Sequence, residues 1–330
     1  MITRVKIADE AKAALEHLSS ITVHDEDVYA EVIPSRPYAR MARHGDDVLL
    51  LLPPASRIGT DLISLKHLKI NFNVPCEVIQ NEETSSEIIV VIRLTSPTDD
   101  LTSIFCEVLA LLLSDLENFD STHVEDVVDS LIELFISEED PNTSTVVGLW
   151  GELLLIYSAR DPDLVGSAWH SNPGDRFDYS RDLVRIEVKS TQGQRRHNFS
   201  LPQVQTNDSH KIAIASLILV PSPDEISIFE LLEATEARIS DHRVRKHVLN
   251  TALRILGSPN VNNQSIFFDP DASKDNFRFF DAAEVPKPHQ IDIGVSEVRF
   301  IADLQLTPEI GQVEFEAWGE LSKAVINRRS

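Results

Sequence analysis

The feature that most restricts how this chain can fold is a change of hydrophobic period at Leu101. Residues 28–96 read as short strands, VYAEVI, DDVLLLLPP, HLKINFNVP, CEVIQ and EIIVVIRL, parted by Pro, Gly, Asn and Ser. From Leu101 onward Ile104, Phe105, Val108, Leu109 and Leu112 recur at helical spacing. Val124, Val127, Val128, Leu131, Leu134 and Phe135 repeat that pattern with acids opposite. Residues 1–140 are therefore expected to form a β-rich N-terminal domain followed by two acidic amphipathic helices. The polar, Pro-containing SEEDPNTST (137–145) marks a boundary, and Ser144 or Thr145 stands where it could cap a third helix from about Val146 to Ser158.

Beyond that helix the pattern reads hairpin (176–191), polar loop, short helix near Ser200, buried strand KIAIASLILV (211–220) and helix from about Asp241 to Leu256. Residues 141–260 are expected to be one α/β core, a mixed sheet flanked by helices. Residues 261–330 add strands from DNFRFFDA and HQIDIGVSEVRFIADL and a closing helix near 308–326, packed on that core. A length of 330 residues suits about two domains. There is no apolar run near 18 residues and no signal-like N-terminus, so neither export nor membrane insertion is expected. Cys76 and Cys106 are too few for a disulfide scaffold or a four-cysteine zinc site, fit a reducing cytoplasm, and read as core.

The net charge of −23 argues against nucleic-acid binding by bulk electrostatics. Residues 1–140 hold 10 Lys and Arg against 27 Asp and Glu, and residues 94–159 contain no Lys or Arg. Residues 176–197, by contrast, carry six Lys and Arg. Arg181, Arg185, Arg195, Arg196 and His197 make a basic island suited to phosphate contact. His242 and His247 are five apart, the wrong offset for two zinc ligands on one helical face. Trp150 and Trp169 read as core.

The hairpin segregates its side chains by chemistry. With a turn at Arg181-Asp182, Tyr179 lies opposite Val184 and Asp178 opposite Arg185. Val184, Ile186 and Val188 share one face, and Asp178 projects with Glu187 and Lys189 on the other. Two carboxylates and the backbone carbonyl of Val188 suffice to hold Mg²⁺, with Mn²⁺ as substitute, against a phosphate. Lys189 is then placed to orient or deprotonate the attacking water, or to stabilise the charge that develops in an in-line displacement. The expected chemistry is phosphodiester hydrolysis.

Asp178 followed by Glu187-Val188-Lys189 resembles the PD-(D/E)XK nuclease superfamily, over residues 144–256 and in element order. Phe177 stands in place of the nominal Pro. The resemblance implies a restriction-endonuclease-like core, an acidic residue on the preceding helix, matched by Glu152 in GLWGELLL, and a polar active-site residue on the following helix, matched by Gln203 in NFSLPQV. Glu152 is also the only charged residue between Asp140 and Arg160, and a lone carboxylate on so apolar a helix is costly without a partner. The block GLWGELLL, AWHSNPGDRFDY, IEVKST, NFSLPQV resembles more narrowly a bacterial family of PD-(D/E)XK motif proteins from restriction-like phage-defence cassettes. That implies a cytoplasmic Mg²⁺-dependent DNA endonuclease, or nuclease subunit, working with DNA and with other defence subunits, and is compatible with a homo-oligomer. The alternative is a catalytically silent nuclease-fold scaffold that binds a partner defence protein through its acidic N-terminal half.

Overall fold

A computed structural model describes residues 4–21, 28–56, 62–65, 67–80, 83–95, 97–114, 120–136, 143–170, 175–205, 210–256, 266–288, 290, 292 and 295–325. The expected boundary segment thus lies, in its residues 137–142, outside the described residues, as do parts of the stretch 289–294. The chain forms two compact units, residues 1–140 with 256–261, and residues 141–255 with 262–330. Among the described residues no helix is long and apolar enough to cross a membrane.

The first unit holds α1 (Arg4–Ser20), β1 (Val28–Ile33), β2 (Arg36–His44), β3 (Asp47–Leu52), β4 (Leu62–Ser64), β5 (Leu68–Gln80), β6 (Glu83–Leu94), α2 (Asp99–Leu113) and α3 (Ser121–Ile136). Its strands run in the order β1-β2-β3-β6-β5-β4, and β1 also pairs in parallel with β5 at Val28–Val78 and Tyr29–Ile79. The sheet therefore closes on itself, which removes most of its open edges. Ala30, Ala42, Leu49, Leu51, Val78, Ile89 and Val91 fill the core. The sequence reading broke β5 at Pro75, but the strand continues. The ladder slips between Asn71 and Val74, and Asn73 takes a left-handed φ of 47°. Its side chain bonds both the amide (2.8 Å) and the carbonyl (3.2 Å) of Ala55, which holds the irregularity in place. Three elements were not anticipated, α1, β2 and the three-residue β4. The α1 stripe of Ile7, Ala11, Leu15 and Leu18 is diluted by alanines, and the inward Ala39 and Met41 of β2 alternate with arginines. Cys106 is buried as expected. Cys76 is only half-buried, packed against the core cluster from the same face of β5 as Val78.

The second unit opens with α4 (Thr143–Ser158) and α5 (Pro162–Ala168). The hairpin β7 (Tyr179–Arg181) and β8 (Val184–Thr191) follows, then β9 (Arg196–Ser200), α6 (Leu201–Val204), β10 (Lys211–Ile218) and β11 (Pro221–Ile226). After these come α7 (Ile228–Arg238), α8 (His242–Leu256), α9 (Pro270–Lys274), β12 (Arg278–Asp281), β13 (Arg299–Asp303), α10 (Gln312–Glu316) and α11 (Glu320–Ala324). The sheet order is β12-β10-β8-β7, with β8 and β10 parallel and the outer pairs antiparallel, so the α/β class with a mixed sheet is observed. β9 pairs with β13 as a separate ribbon. The elements α5, β9, β11, α7 and α9 stand beyond the expected order, and the closing helix expected near 308–326 is two short helices, α10 and α11.

The hairpin register differs from the expected one by two residues. Tyr179 faces Ile186 and Arg181 faces Val184, so the turn is Asp182-Leu183. Asp182 takes φ 47°, a conformation that Asp adopts more readily than most residues. A slip of two preserves which face each side chain occupies, so Asp178 stays on the side of Glu187.

Candidate metal centre

Glu152 is delivered by α4, whose approach to β8 depends on Gly151. A Cβ there would stand 1.8 Å from Ser190 Oγ and 3.2 Å from Val188 Cγ1, so only glycine lets the helix lie this close to the strand. Glu152 Oε2 accepts a hydrogen bond from the Trp169 indole at 2.8 Å and lies 3.4 Å from His170 Nε2. Its backbone carbonyl accepts from the Tyr179 hydroxyl at 2.7 Å, which ties the helix to the first strand of the hairpin.

Asp178 precedes β7. Its carbonyl accepts from the His170 amide at 2.8 Å, and its Oδ2 accepts from the Val188 amide at 2.6 Å. A strand residue points its N–H and C=O to the same edge, so the Val188 carbonyl also faces the Asp178 side. Desolvation, and then the charges of Glu187 and Glu152, push the Asp178 carboxyl well above the usual aspartate range.

Glu187 is 4 % exposed. Its Oε1 accepts from the Gln203 amide and from Lys189 Nζ at 2.7 Å, while its Oε2 is buried with no hydrogen-bond partner among the described residues. Burial raises its pKa against the opposing pull of Lys189. Gln203 has two tasks: its Oε1 accepts from the Ser200 amide at the start of α6 (3.0 Å), and its Nε2 fixes Glu187. Lys189 also stands 5.5 Å from the centroid of the Phe199 ring.

The structure thus brings Glu152, Asp178, Glu187, Lys189 and Gln203, with the Val188 backbone, into one neighbourhood. It adds His170, which the sequence reading missed. Glu152, His170 and Asp178 each offer one ligand atom, all within 4.8 Å of one another; Glu187, expected as a ligand with Asp178, is not in that set. His170 lies eight residues before Asp178 in an irregular segment, where no spacing rule marks a ligand. The residues fit a divalent cation. Carboxylates held close together in a desolvated place, one oxygen of which has no donor among the described residues, are the donor set that a hard cation completes.

The basic island is only partly available. Arg195 turns inward to Ser216 (carbonyl at 2.7 Å, Oγ at 2.9 Å) and to the Asn276 carbonyl. His197 is buried against Ser216 Oγ at 2.8 Å, and desolvation followed by Lys189 and Arg195 lowers its pKa to about 4. Arg185 bonds the carbonyls of Asp182 and Val184, and Arg181 lies 3.6 Å from Glu320. Arg196 stays exposed. His247 does not join a zinc site but reaches the Trp169 carbonyl at 3.1 Å. Trp150 and Trp169 are both buried, as expected of core residues.

Comparison with curated proteins and with solved structures gives no match. Residues 16–305, a span that contains the whole centre, match the family described as "Putative PD-(D/E)XK family member, (DUF4420)", and the chain belongs to that family.

Proposed function

We propose that this protein is a divalent-cation-dependent DNA nuclease, Mg²⁺ being the cation that the sequence resemblance implies, acting as an endonuclease or nuclease subunit of a restriction-type phage-defence system. The observation that carries the reading is the buried Oε2 of Glu187 beside Asp178, which has no donor among the described residues, with the ammonium of Lys189 held on the other oxygen of the same carboxylate. Structural ion pairs satisfy both partners; this arrangement leaves one ligand atom over.

Asp178, Glu187 and the Val188 carbonyl would hold the cation, with Glu152 close by. When bound, the cation supplies Lewis-acid polarisation of the scissile phosphate. Gln203 and Lys189 fix the Glu187 carboxylate through Oε1, which leaves Oε2 for the ligand role. Lys189 is placed to donate to a phosphoryl oxygen as negative charge accumulates there, or to hold the attacking water in line with the leaving oxygen. The water oxygen bonds to phosphorus as the opposite P–O bond breaks. The partner and defence assignments rest on the sequence resemblance. Since Arg195 and His197 are turned inward, phosphate affinity from this chain alone is low, and partner subunits supply the rest.

The test is conversion of supercoiled plasmid to nicked or linear forms by the full chain with Mg²⁺ or Mn²⁺, with and without co-encoded defence proteins, against a chelated control and an RNA substrate. Cation-dependent cleavage of DNA is expected. If Asp178→Ala and Glu187→Ala protect cells from phage as well as the parent does, the scaffold reading replaces this one.

A further inference from the structure

We propose that His170 is a metal ligand, and that its nitrogen makes the centre select Mn²⁺ over Mg²⁺. The inference rests on the nuclease reading above and names the cation that the centre takes.

The imidazole is held from several sides. Its backbone amide is bound to the Asp178 carbonyl at 2.8 Å, and its ring meets the Trp169 indole edge-on at 5.5 Å and 86°. Trp169 is itself pinned, its N–H on Glu152 and its carbonyl on His247. His170 Nε2 thereby stands 3.4 Å from Glu152 Oε2. A charge-assisted hydrogen bond between such groups would close to about 2.7–2.9 Å. The wider gap is near the roughly 3 Å that separates adjacent ligands on an octahedral cation with bonds of about 2.0–2.2 Å. The Asp178 oxygen completes a three-atom set within 4.8 Å.

An independent feature points to the same ligand. Glu187, 4 % exposed, keeps a buried Oε2 with no donor among the described residues and feels the charges of both Glu152 and His170. The side chains of His170 and Glu152 are each 14 % exposed, which leaves an ion a way in while excluding most of the solvent. Mg²⁺ favours an all-oxygen shell and sheds water reluctantly, whereas Mn²⁺ accepts carboxylates and gains more from an imidazole.

The test uses the metal-free full chain, with Mn²⁺ and Mg²⁺ alone as probes. Pulsed electron paramagnetic resonance of bound Mn²⁺ should show coupling to a directly bound imidazole nitrogen in the parent, a measurement that needs no variant to fold. Calorimetry should give Mn²⁺ binding about 10-fold or more tighter than Mg²⁺. In His170→Ala and His170→Asn that ratio should collapse and the nitrogen coupling vanish. Mn²⁺ bound without nitrogen coupling, coupling that survives His170→Ala, or an unchanged ratio overturns the His170 assignment and leaves the nuclease reading standing. Failure of the parent to bind either cation overturns both.

Discussion

Two buried charged sites, one in each unit, are treated in opposite ways. In the first, Arg36 is 4 % exposed and fully answered: Nε donates to the Leu113 carbonyl (2.6 Å), and the terminal nitrogens donate to the carbonyls of Ser35 (2.7 Å) and Ser114 (2.5 Å). The cation thus caps the C-terminal end of α2, where the helix presents unpaired carbonyls and partial negative charge. Arg40 likewise clasps Glu87 through two bonds of 2.9 and 2.7 Å. In the second unit the carboxylates of Glu152, Asp178 and Glu187 converge with one lysine paired among them, and an oxygen is left over. Arg36 and Arg40 are balanced within the chain, whereas the centre is built to be balanced by something added.

The sharpest way to break this comparison is to delete a carboxylate. Asp178→Ala and Glu187→Ala should lower cleavage by about 10³-fold or more, because they remove Lewis-acid stabilisation worth several kcal/mol, and should abolish divalent-ion binding by calorimetry. Lys189→Ala comes next. Cleavage should fall on the order of 10²-fold, while cation affinity stays equal or rises, because one positive charge leaves the site. Equal loss of cation binding in all three variants would mean that Lys189 only supports the local fold.

In the first unit the corresponding deletion should cost stability instead of chemistry. Arg36→Met leaves the Leu113 and Ser114 carbonyls without their donor, for about 2 kcal/mol in urea titration, with cleavage per folded molecule unchanged.

The smallest effect is on pH dependence, where the units differ in sign. Asp178 and Glu187 titrate above their ordinary range. The stability they contribute in metal-free protein is whole below the ordinary carboxylate values and is lost as pH rises through the raised ones. Glu87 is held down to about 2, mainly by its hydrogen bonds from Arg40, so its contribution is present above 4.5 and is lost as pH falls toward 2. Asp178→Asn should flatten the first dependence and Glu87→Gln the second, as read by hydrogen exchange resolved to each unit. Identical profiles for both variants would erase the contrast.

What the sequence made legible follows the reach of its periodicities. Strand alternation placed Asp178, Glu187 and Lys189 on one face, and parity survived an error of two in register, because the face repeats every second residue. Glu152 was visible as a solitary charge on an apolar helix. His170 was not, since its place beside Glu152 is created by the fold of α5 against the hairpin and not by any spacing. Neither could composition reveal that Arg195 and His197 of the basic island turn toward Ser216. The element α1 was hidden for a different reason, its inward stripe being half alanine.

The indole of Trp169 makes the centre observable by light. Its single N–H is committed to Glu152 in a buried setting, so any charge that arrives at that carboxylate perturbs the ring's excited state directly. Trp150, edge-on to Phe268 at 5.2 Å and with no hydrogen-bond partner on its own nitrogen among the described residues, is a built-in reference in the same unit. The protein therefore carries an intrinsic fluorophore at the place where occupancy has to be read, and loading of the centre can be followed in the unlabelled chain.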